Sequence, residues 1–217
     1  MSKNAKKLTR REREKLRHES EILAAAERVF VLKGFNQATI EEIAKEAEFS
    51  VGAIYTFFEG KQDLRDKVIT KIIEEFLEVF RDEVLFEQDA MKAIEALIDL
   101  RVRHVQEHGA FFRLFLESQP GANINLDGAL PSHCRELYDN YIQDLTTIFK
   151  KAISIGLVRE MDPVYAALSL EGIVNAFTAY WNRQGISEPV EARIKYIREN
   201  FLRMILKDEK QSSVDAI

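Results

Sequence analysis

The sequence predicts an all-α protein of about nine helices. Three observations predict it: apolar residues recur with a period near 3.6 along almost the whole chain, no segment sustains the alternation of a strand, and all four prolines (Pro120, Pro131, Pro163, Pro189) lie in the second half. Glycines at Gly34, Gly60, Gly109, Gly121, Gly156 and Gly185 stand near the ends of periodic stretches, where helices are expected to stop.

The first helix begins at Thr9, where Thr9-x-x-Glu12 can form a capping box, and runs to about Lys33 with Ile22, Ala26, Val29 and Phe30 on one face. A second capping box, Thr39-x-x-Glu42, opens a short helix with Ile40, Ile43, Ala44 and Ala47 at i, i+3, i+4 and i+7. Ser50 is an N-cap for another short helix that carries Ile54, Phe57 and Phe58. A longer helix follows from about 61 to 83, with Leu64, Val68, Ile72, Phe76 and Phe80 along one ridge. Five further elements are read at about 90–108, 110–118, 130–155, 163–184 and 190–207. Asp162 caps the fourth of these, with Pro163 at the first helical position, where its missing N–H costs nothing.

Composition bounds the function classes. The chain has 217 residues, 46% hydrophobic and 10% aromatic, which excludes fibrous and wholly disordered readings. Its longest apolar runs, such as Val29 to Leu32, fall far short of the roughly 20 residues of a bilayer span. The charged N-terminus leads into no apolar signal segment, so a cytoplasmic protein is expected. A single cysteine, Cys134, permits no internal disulfide and no cysteine-based metal cluster. The net charge of −5 is uneven: residues 1–17 hold eight basic side chains against Glu12 and Glu14, a balance of +6, and the remainder carries −11. A basic arm on an acidic body suits a polyanion, which attracts lysine and arginine by releasing its counterions, and equally suits a solubilising tail.

Two short helices joined by a tight turn and preceded by a longer packing helix form a helix-turn-helix, whose second short helix enters the DNA major groove. Helical hairpins are common, so the spacing alone also fits a structural hairpin. The residues are more particular. Ile22-Leu23-x-Ala25-Ala26-x-x-Val29-Phe30, Gly34-Phe35, Thr39, Ile43-Ala44, Ala47, Ser50, Gly52-x-x-Tyr55-x-x-Phe58 and Lys61-x-x-Leu64 resemble, in order and spacing, the DNA-binding domain of the TetR/AcrR family of bacterial transcriptional regulators. The resemblance covers about residues 15–70. It implies a basic arm at 1–14, a DNA-binding domain at 15–70 and a ligand-binding and dimerisation bundle at 71–217.

Each matched residue has its own physical reading. Thr39 and Ser50 stand at helix N-termini, where free N–H groups and a hydroxyl suit a phosphate, and where both residues also simply cap. Gly52 would let the backbone approach DNA closely, a reason for a glycine that costs a helix about 1 kcal/mol against alanine. Tyr55 and Thr56 can bond phosphate oxygens and Lys61 can add a charge-assisted contact; the resemblance makes Tyr55 and Lys61 phosphate contacts. Base reading falls to Val51, Gly52, Ala53 and Thr56, small or apolar residues suited to thymine methyls rather than bidentate hydrogen bonds. Much of the specificity is then expected from DNA shape and from the arm reaching an adjacent groove. Two positions depart from the family pattern. Glu48 stands where a turn glycine is usual, which leads us to expect a slightly rearranged turn, and Val51 replaces a basic or polar residue.

In the family the C-terminal bundle dimerises and binds a small molecule. Small residues at Ala166, Ala167, Ser169, Gly172 and Ala176, with Ile194, Ile197, Phe201 and Ile205 on the last helix, suit a four-helix dimer interface or packing within one chain, and the resemblance favours the dimer. Two recognition helices would then stand about 34–36 Å apart on a palindromic operator. Aromatic wall for a ligand is ample and includes Phe115, Tyr141, Phe177 and Trp181. The face of Ile94, Leu97 and Ile98 continues in Arg101, His104 and His108, which can hold the polar or anionic end of a ligand; a helix-dipole role for His108 and a solvent-reaching Arg101 account for the same pattern. His104 and His108 also have i, i+4 metal-ligand spacing, without an HExxH pattern or cysteine pairs to support it.

The chain has no GxSxG, GxGxxG, Walker or HExxH motif, and none of its histidines follows a glutamate by three residues as a di-iron carboxylate site requires. No enzyme, cofactor or metal is expected. The expected protein is a homodimeric regulator, most simply a repressor, with double-stranded DNA and a small-molecule effector as partners. The alternative is a helical adaptor for a protein partner, with only non-specific DNA affinity.

Overall fold

The computed structural model describes residues 9–117, 130–185 and 187–207. Among them are eight α-helices: α1 (Arg10–Lys33), α2 (Ile40–Glu46), α3 (Val51–Phe57), α4 (Lys61–Phe80), α5 (Ala90–Glu117), α6 (Ser132–Ser154), α7 (Pro163–Gln184) and α8 (Val190–Ile205). A π-helical segment, Arg81–Leu85, follows α4 directly, where one continuous helix to 83 was expected. The extended pairing among the described residues is an isolated bridge between Val158 and Leu206. None of the described helices is long and apolar enough to cross a membrane.

Local chemistry sets the helix ends. At Thr9 and Thr39 both arms of the capping box are made: each threonine hydroxyl accepts from the backbone N–H three residues on, and Glu12 or Glu42 accepts from the threonine N–H. Asp162 accepts from Val164 N at 2.8 Å and Pro163 is the first residue of α7. Gly156 ends α6 in the left-handed region at φ 74°, with Leu157 N donating to Ala152 O and Gly156 N to Ile153 O. Gly109 does not act in this way. The two helices expected at 90–108 and 110–118 are one helix, α5, because a glycine stops a helix when its backbone turns left-handed; without that turn it is only a weak helix former.

The described chain falls into two compact units. Residues up to Lys71, with Ala110–Glu117 and Leu130–Pro131, form the first; Ile72–Gly109 and the residues from Ser132 onward form the second. In the first, α1 supplies Ile22, Ala25, Ala26 and Phe30, α2 Ile43 and Ala44, α3 Ile54, and α4 Leu64, Val68 and Ile69, all buried. Exposed ion pairs, Arg28 with Glu46 and Lys33 with Glu42, tie α1 to α2. In the second unit the core is built from Phe80, Ile94, Leu97, Leu145, Phe149, Leu170, Val174, Ile197 and Phe201.

This core overturns part of the expected dimer face. Ala166, Ala167, Ile194, Ile197, Phe201 and Ile205 are buried within the single chain, because their stripe faces the chain's own helices. The outward surface of α7 instead presents Tyr165, Leu168, Gly172, Ala176, Ala179 and Tyr180.

Candidate nucleic-acid interface and effector site

The turn between α2 and α3 is built on backbone hydrogen bonds. Phe49 N donates to Ala44 O at 2.9 Å and Glu48 N to Lys45 O at 3.2 Å, the same closure that ends α6, and Glu48 takes the left-handed position with φ 60°. The rearranged turn expected from the missing glycine is therefore not found: the closure is kept, and a glutamate holds a conformation that disfavours side chains by roughly 1–2 kcal/mol. Two buried anchors on the hairpin, Ile43 and Ile54, fix α2 and α3 against the core and over-determine the turn between them.

From this turn α3 presents its polar side outward. Ser50 Oγ accepts from Ala53 N at 3.1 Å, so the serine caps, and its hydroxyl hydrogen is left for another acceptor. Thr39 caps α2 in the same way, with Glu42 N donating to its hydroxyl at 3.2 Å. Ser50, Gly52 and Thr56 are exposed, Val51 and Ala53 are half-buried, and Tyr55 is 55% exposed. Ile54 and Phe58 are buried and Phe57 is half-buried, so the apolar side of α3 is core. The hydroxyl of Thr56 donates to Ala53 O at 2.7 Å. A Cβ on Gly52 would meet only Ser50 Oγ, at 4.0 Å. The protein itself therefore does not require glycine there, and the space it leaves opens outward.

Lys61 is less free than its sequence position suggests. Its ammonium donates to Asn36 O at 3.2 Å and Ala38 O at 3.0 Å and lies 4.8 Å from the centre of the Phe35 ring, tying the start of α4 to the loop before α2. One of its three N–H groups remains beyond these two bonds.

Five basic residues, Arg10, Arg11, Arg13, Lys15 and Arg17, occupy the start of α1, where Glu12 is the acidic residue of the first turn. Cations at a helix N-terminus oppose the macrodipole, typically by about 0.3–1 kcal/mol each near the end. The first turn of α1 thus carries its charge against its own stability and depends on the capping box for compensation. Residues 1–8 of the expected arm lie outside the described residues.

The second unit gathers four of the expected effector-site residues around Phe76. The centre of its ring lies 4.6 Å from that of His104, 5.3 Å from that of Tyr141 and 5.5 Å from the Arg101 guanidinium carbon. His104 in turn lies 5.2 Å from His108. Arg101, 8% exposed, does not reach solvent: it donates to both carboxylate oxygens of Glu171, itself 6% exposed, at 2.7 and 2.6 Å, and to Asn175 Oδ1 at 3.3 Å. The Tyr141 hydroxyl donates to Glu171 at 2.8 Å. Burial works against the Arg101 charge, but Glu171 more than offsets it and holds the guanidinium protonated. Burial, followed by Arg101 and His108, pushes His104 down to about 3, so its ring is neutral near pH 7. Burial and then Glu171 drive the Tyr141 hydroxyl well above its ordinary range.

Arg101 is consequently not an open anion site; its charge is met by a carboxylate that the sequence reading missed. The signal was a lone glutamate, Glu171, within the apolar stripe of α7. Phe177 and Trp181 form another cluster, with ring centres 5.7 Å apart and both near Tyr196, and the Arg193 guanidinium lies 5.3 Å from the Trp181 ring centre. The side chain of Phe115 lies outside the described residues. Among those described, no group of three or more His, Cys, Asp or Glu side chains is arranged to hold a metal ion.

Comparison with known proteins adds to this geometry. Residues 22–68 match the family of bacterial regulatory proteins, tetR family. The HTH-type transcriptional regulator YhgD of Bacillus subtilis is 24% identical over 167 residues, which cover 75% of this chain and 83% of that protein. A solved structure from Clostridium perfringens, described as a fatty acid metabolism regulator, is 27% identical with a TM-score of 0.67, covering 87% of this chain and 100% of that one. The fold is shared with the regulator FadR from Bacillus subtilis in complex with stearoyl-CoA, at 19% identity, a TM-score of 0.69, 84% of this chain and 97% of that one.

Proposed function

We propose that the chain is a DNA-binding transcriptional regulator of the TetR family, a homodimeric repressor released from a palindromic operator when a small molecule enters its C-terminal bundle; the match of residues 22–68 to that family and the likeness to regulators over most of the chain support the reading. It is a binding protein of the cytoplasm rather than an enzyme. The observation that carries the reading is α3: a short helix anchored by Ile54 and Phe58, capped by Ser50, with its outward surface formed by Gly52, Tyr55 and Thr56. In this reading the hydroxyls of Thr39, Ser50 and Tyr55 and the remaining N–H of Lys61 contact phosphates, and Val51, Gly52, Ala53 and Thr56, whose hydroxyl hydrogen is held by Ala53 O, meet the base edges. The DNA-binding domain takes in residues 15–70 and the effector and dimer domain 71–217.

Two such domains must act together to read a palindrome. The outward surface of α7, with Tyr165, Leu168, Gly172, Ala176 and Ala179, is the face we assign to the partner subunit, since small residues there permit close helix approach. The similar Clostridium perfringens protein described as a fatty acid metabolism regulator, and the stearoyl-CoA held by one neighbour of the same fold, make long-chain acyl-CoA the first effector class to test. Because Glu171 already satisfies Arg101, such an effector would draw on the aromatic groups, with Phe76, Tyr141, Phe177 and Trp181 as wall, and on the neutral ring of His104 and on His108 beside it as hydrogen-bonding groups.

The mechanism is a population shift: the effector favours a conformation in which the two recognition helices no longer match the half-site spacing. Reciprocity then requires operator DNA to weaken effector binding by the same factor. Titrating stearoyl-CoA into the free protein and into the protein bound to its selected operator tests this. Weaker binding to the DNA complex supports repression by release; equal affinities contradict it, and tighter binding to the complex makes the molecule a corepressor. A helical adaptor, the second reading, predicts no dependence on a DNA palindrome.

A further inference from the structure

We propose that the first two turns of α1, residues 10–17, form a rigid rod that lies against the phosphate backbone of duplex DNA flanking the recognition helix, with Arg11 and Lys15 as its contacts. The inference rests on the DNA-binding reading above and adds a surface to it.

The first two turns of α1 are not covered by any other described residue. Every residue from Thr9 to Arg17 is exposed, and the buried face of α1 begins only at Ile22. Helical stability in proteins ordinarily comes from packing such a face, so an unpacked stretch must be held by local devices. The sequence supplies them: the Thr9–Glu12 capping box, and ion pairs of Arg10 with Glu14 and of Arg17 with Glu21, each one helical turn apart. Three arginines also stand in the first four residues of α1, where the helix dipole disfavours cations. An anion placed against them would remove that opposition.

The helical repeat of 100° per residue then decides which way the charges face. Arg11 and Lys15 each fall about 20° from the direction of Ile22, and His18 about 40°, so all three continue the inward face of α1. His18 fixes where that face leads. Its ring packs edge-on against Phe49, with centres 5.2 Å apart, and Phe49 immediately precedes Ser50, the N-cap of α3. Lys15 and Arg11 lie about 4.5 and 10.5 Å further along the axis at 1.5 Å per residue. The two cations therefore extend, on the same side, beyond the end of α1 that packs beside the start of the recognition helix.

The groove expected for the arm does not suit this segment. An α-helix with side chains is about 10–12 Å across, whereas the minor groove is about 6 Å wide, so residues 10–17 as a helix cannot thread into it. A rod lying along the phosphates satisfies both the width and the charge.

The test uses a 30-bp duplex enriched from a random pool by the wild-type protein, with affinity measured by fluorescence anisotropy between 0.05 and 0.5 M KCl. Arg11→Ala with Lys15→Ala should lower the slope of log K against log salt by about 0.9 per lost phosphate contact, which is about an eightfold smaller fall in affinity per contact between 0.05 and 0.5 M salt. The enriched sequence should not change. Since no residue in this segment is buried, the variants keep the fold, which circular dichroism checks. Leu16→Pro, which breaks the rod at an exposed residue outside the ion pairs, should reproduce the loss that Leu16→Ala does not. Unchanged affinity and slope in the double variant would overturn the inference, as would full binding by Leu16→Pro. Displacement of the same increment by distamycin, which occupies the minor groove, would overturn the rod in favour of a threading arm. If the wild-type protein enriches no sequence at all, the DNA-binding reading itself has failed; an enriched sequence with an indifferent double variant condemns the rod alone.

Discussion

Replacing Glu48 by glycine should stabilise the protein while deleting a charged side chain. Glu48 holds φ 60° at the turn between α2 and α3, a region that disfavours an L side chain by roughly 1–2 kcal/mol. Glycine removes that strain but gives the unfolded chain more freedom, an opposing effect of about 0.4–1 kcal/mol. The net expectation is about 0.5–1 kcal/mol of added stability, and a rise in Tm of about 1–4 °C for a chain of this length. Urea denaturation followed by circular dichroism reads the difference. Alanine at the same position is the necessary comparison, because it also removes a carboxylate from the C-terminal end of α2, where the dipole disfavours negative charge, yet it keeps the strained backbone. Gly156 occupies the equivalent position after α6 with φ 74°, so Gly156→Ala, in which the same two effects act with opposite sign, should destabilise by about 0.5–1 kcal/mol as the mirror experiment. If Glu48→Gly proves no more stable than Glu48→Ala, the strain assigned to this turn is absent and the reasoning is wrong.

Four further outcomes follow from the same physical picture. Gly52→Ala should add up to about 1 kcal/mol to α3, since a Cβ there meets nothing closer than 4.0 Å, yet it should weaken operator binding; retained affinity in a gel-shift titration would remove the case for a close approach to DNA. Glu171→Ala should cost about 3–5 kcal/mol in urea denaturation by leaving Arg101 buried and unmatched, whereas the double change Arg101→Met with Glu171→Leu should cost clearly less; equal losses would contradict the pairing. His104 titrates at about 3 in the fold against an ordinary 6.5, so below pH 6.5 the unfolded chain binds the proton first. Stability should therefore fall as the pH drops from about 6.5 toward 3, by up to about 1.4 kcal/mol per pH unit for one proton, and His104→Leu should flatten that part of the profile. Leu168→Arg, on the outward surface of α7, should yield a monomer in sedimentation, whereas an unchanged dimer would move the interface elsewhere.

Local signals were the legible part of this fold. Thr9, Thr39, Ser50 and Asp162 marked helix starts because a cap is made by residues within three positions of one another, and Gly34 marked the end of α1 at Lys33 for the same reason. Gly109 misled because the sequence shows a glycine but not its φ, and only the left-handed turn ends a helix. Periodicity showed that Ile194, Ile197, Phe201 and Ile205 form an apolar face without showing what covers it, and the cover is the chain's own core. The carboxylate that neutralises Arg101 stands 70 positions away on another helix, a distance over which no spacing rule operates. On α3, by contrast, the outward residues could be named beforehand, since Ile54 and Phe58 fix the inward side of so short a helix and leave Tyr55 and Thr56 outside.

The central claim is sequence-specific reading of an inverted repeat. It is tested most directly by selecting bound duplexes from a random DNA pool at physiological salt and sequencing them. An enriched inverted repeat with half-sites one helical turn apart, about 34–36 Å between centres, is the predicted result. Salt-sensitive binding with no enriched motif would contradict it, leaving α1 as a general polyanion contact and the helical bundle as the part that recognises a partner.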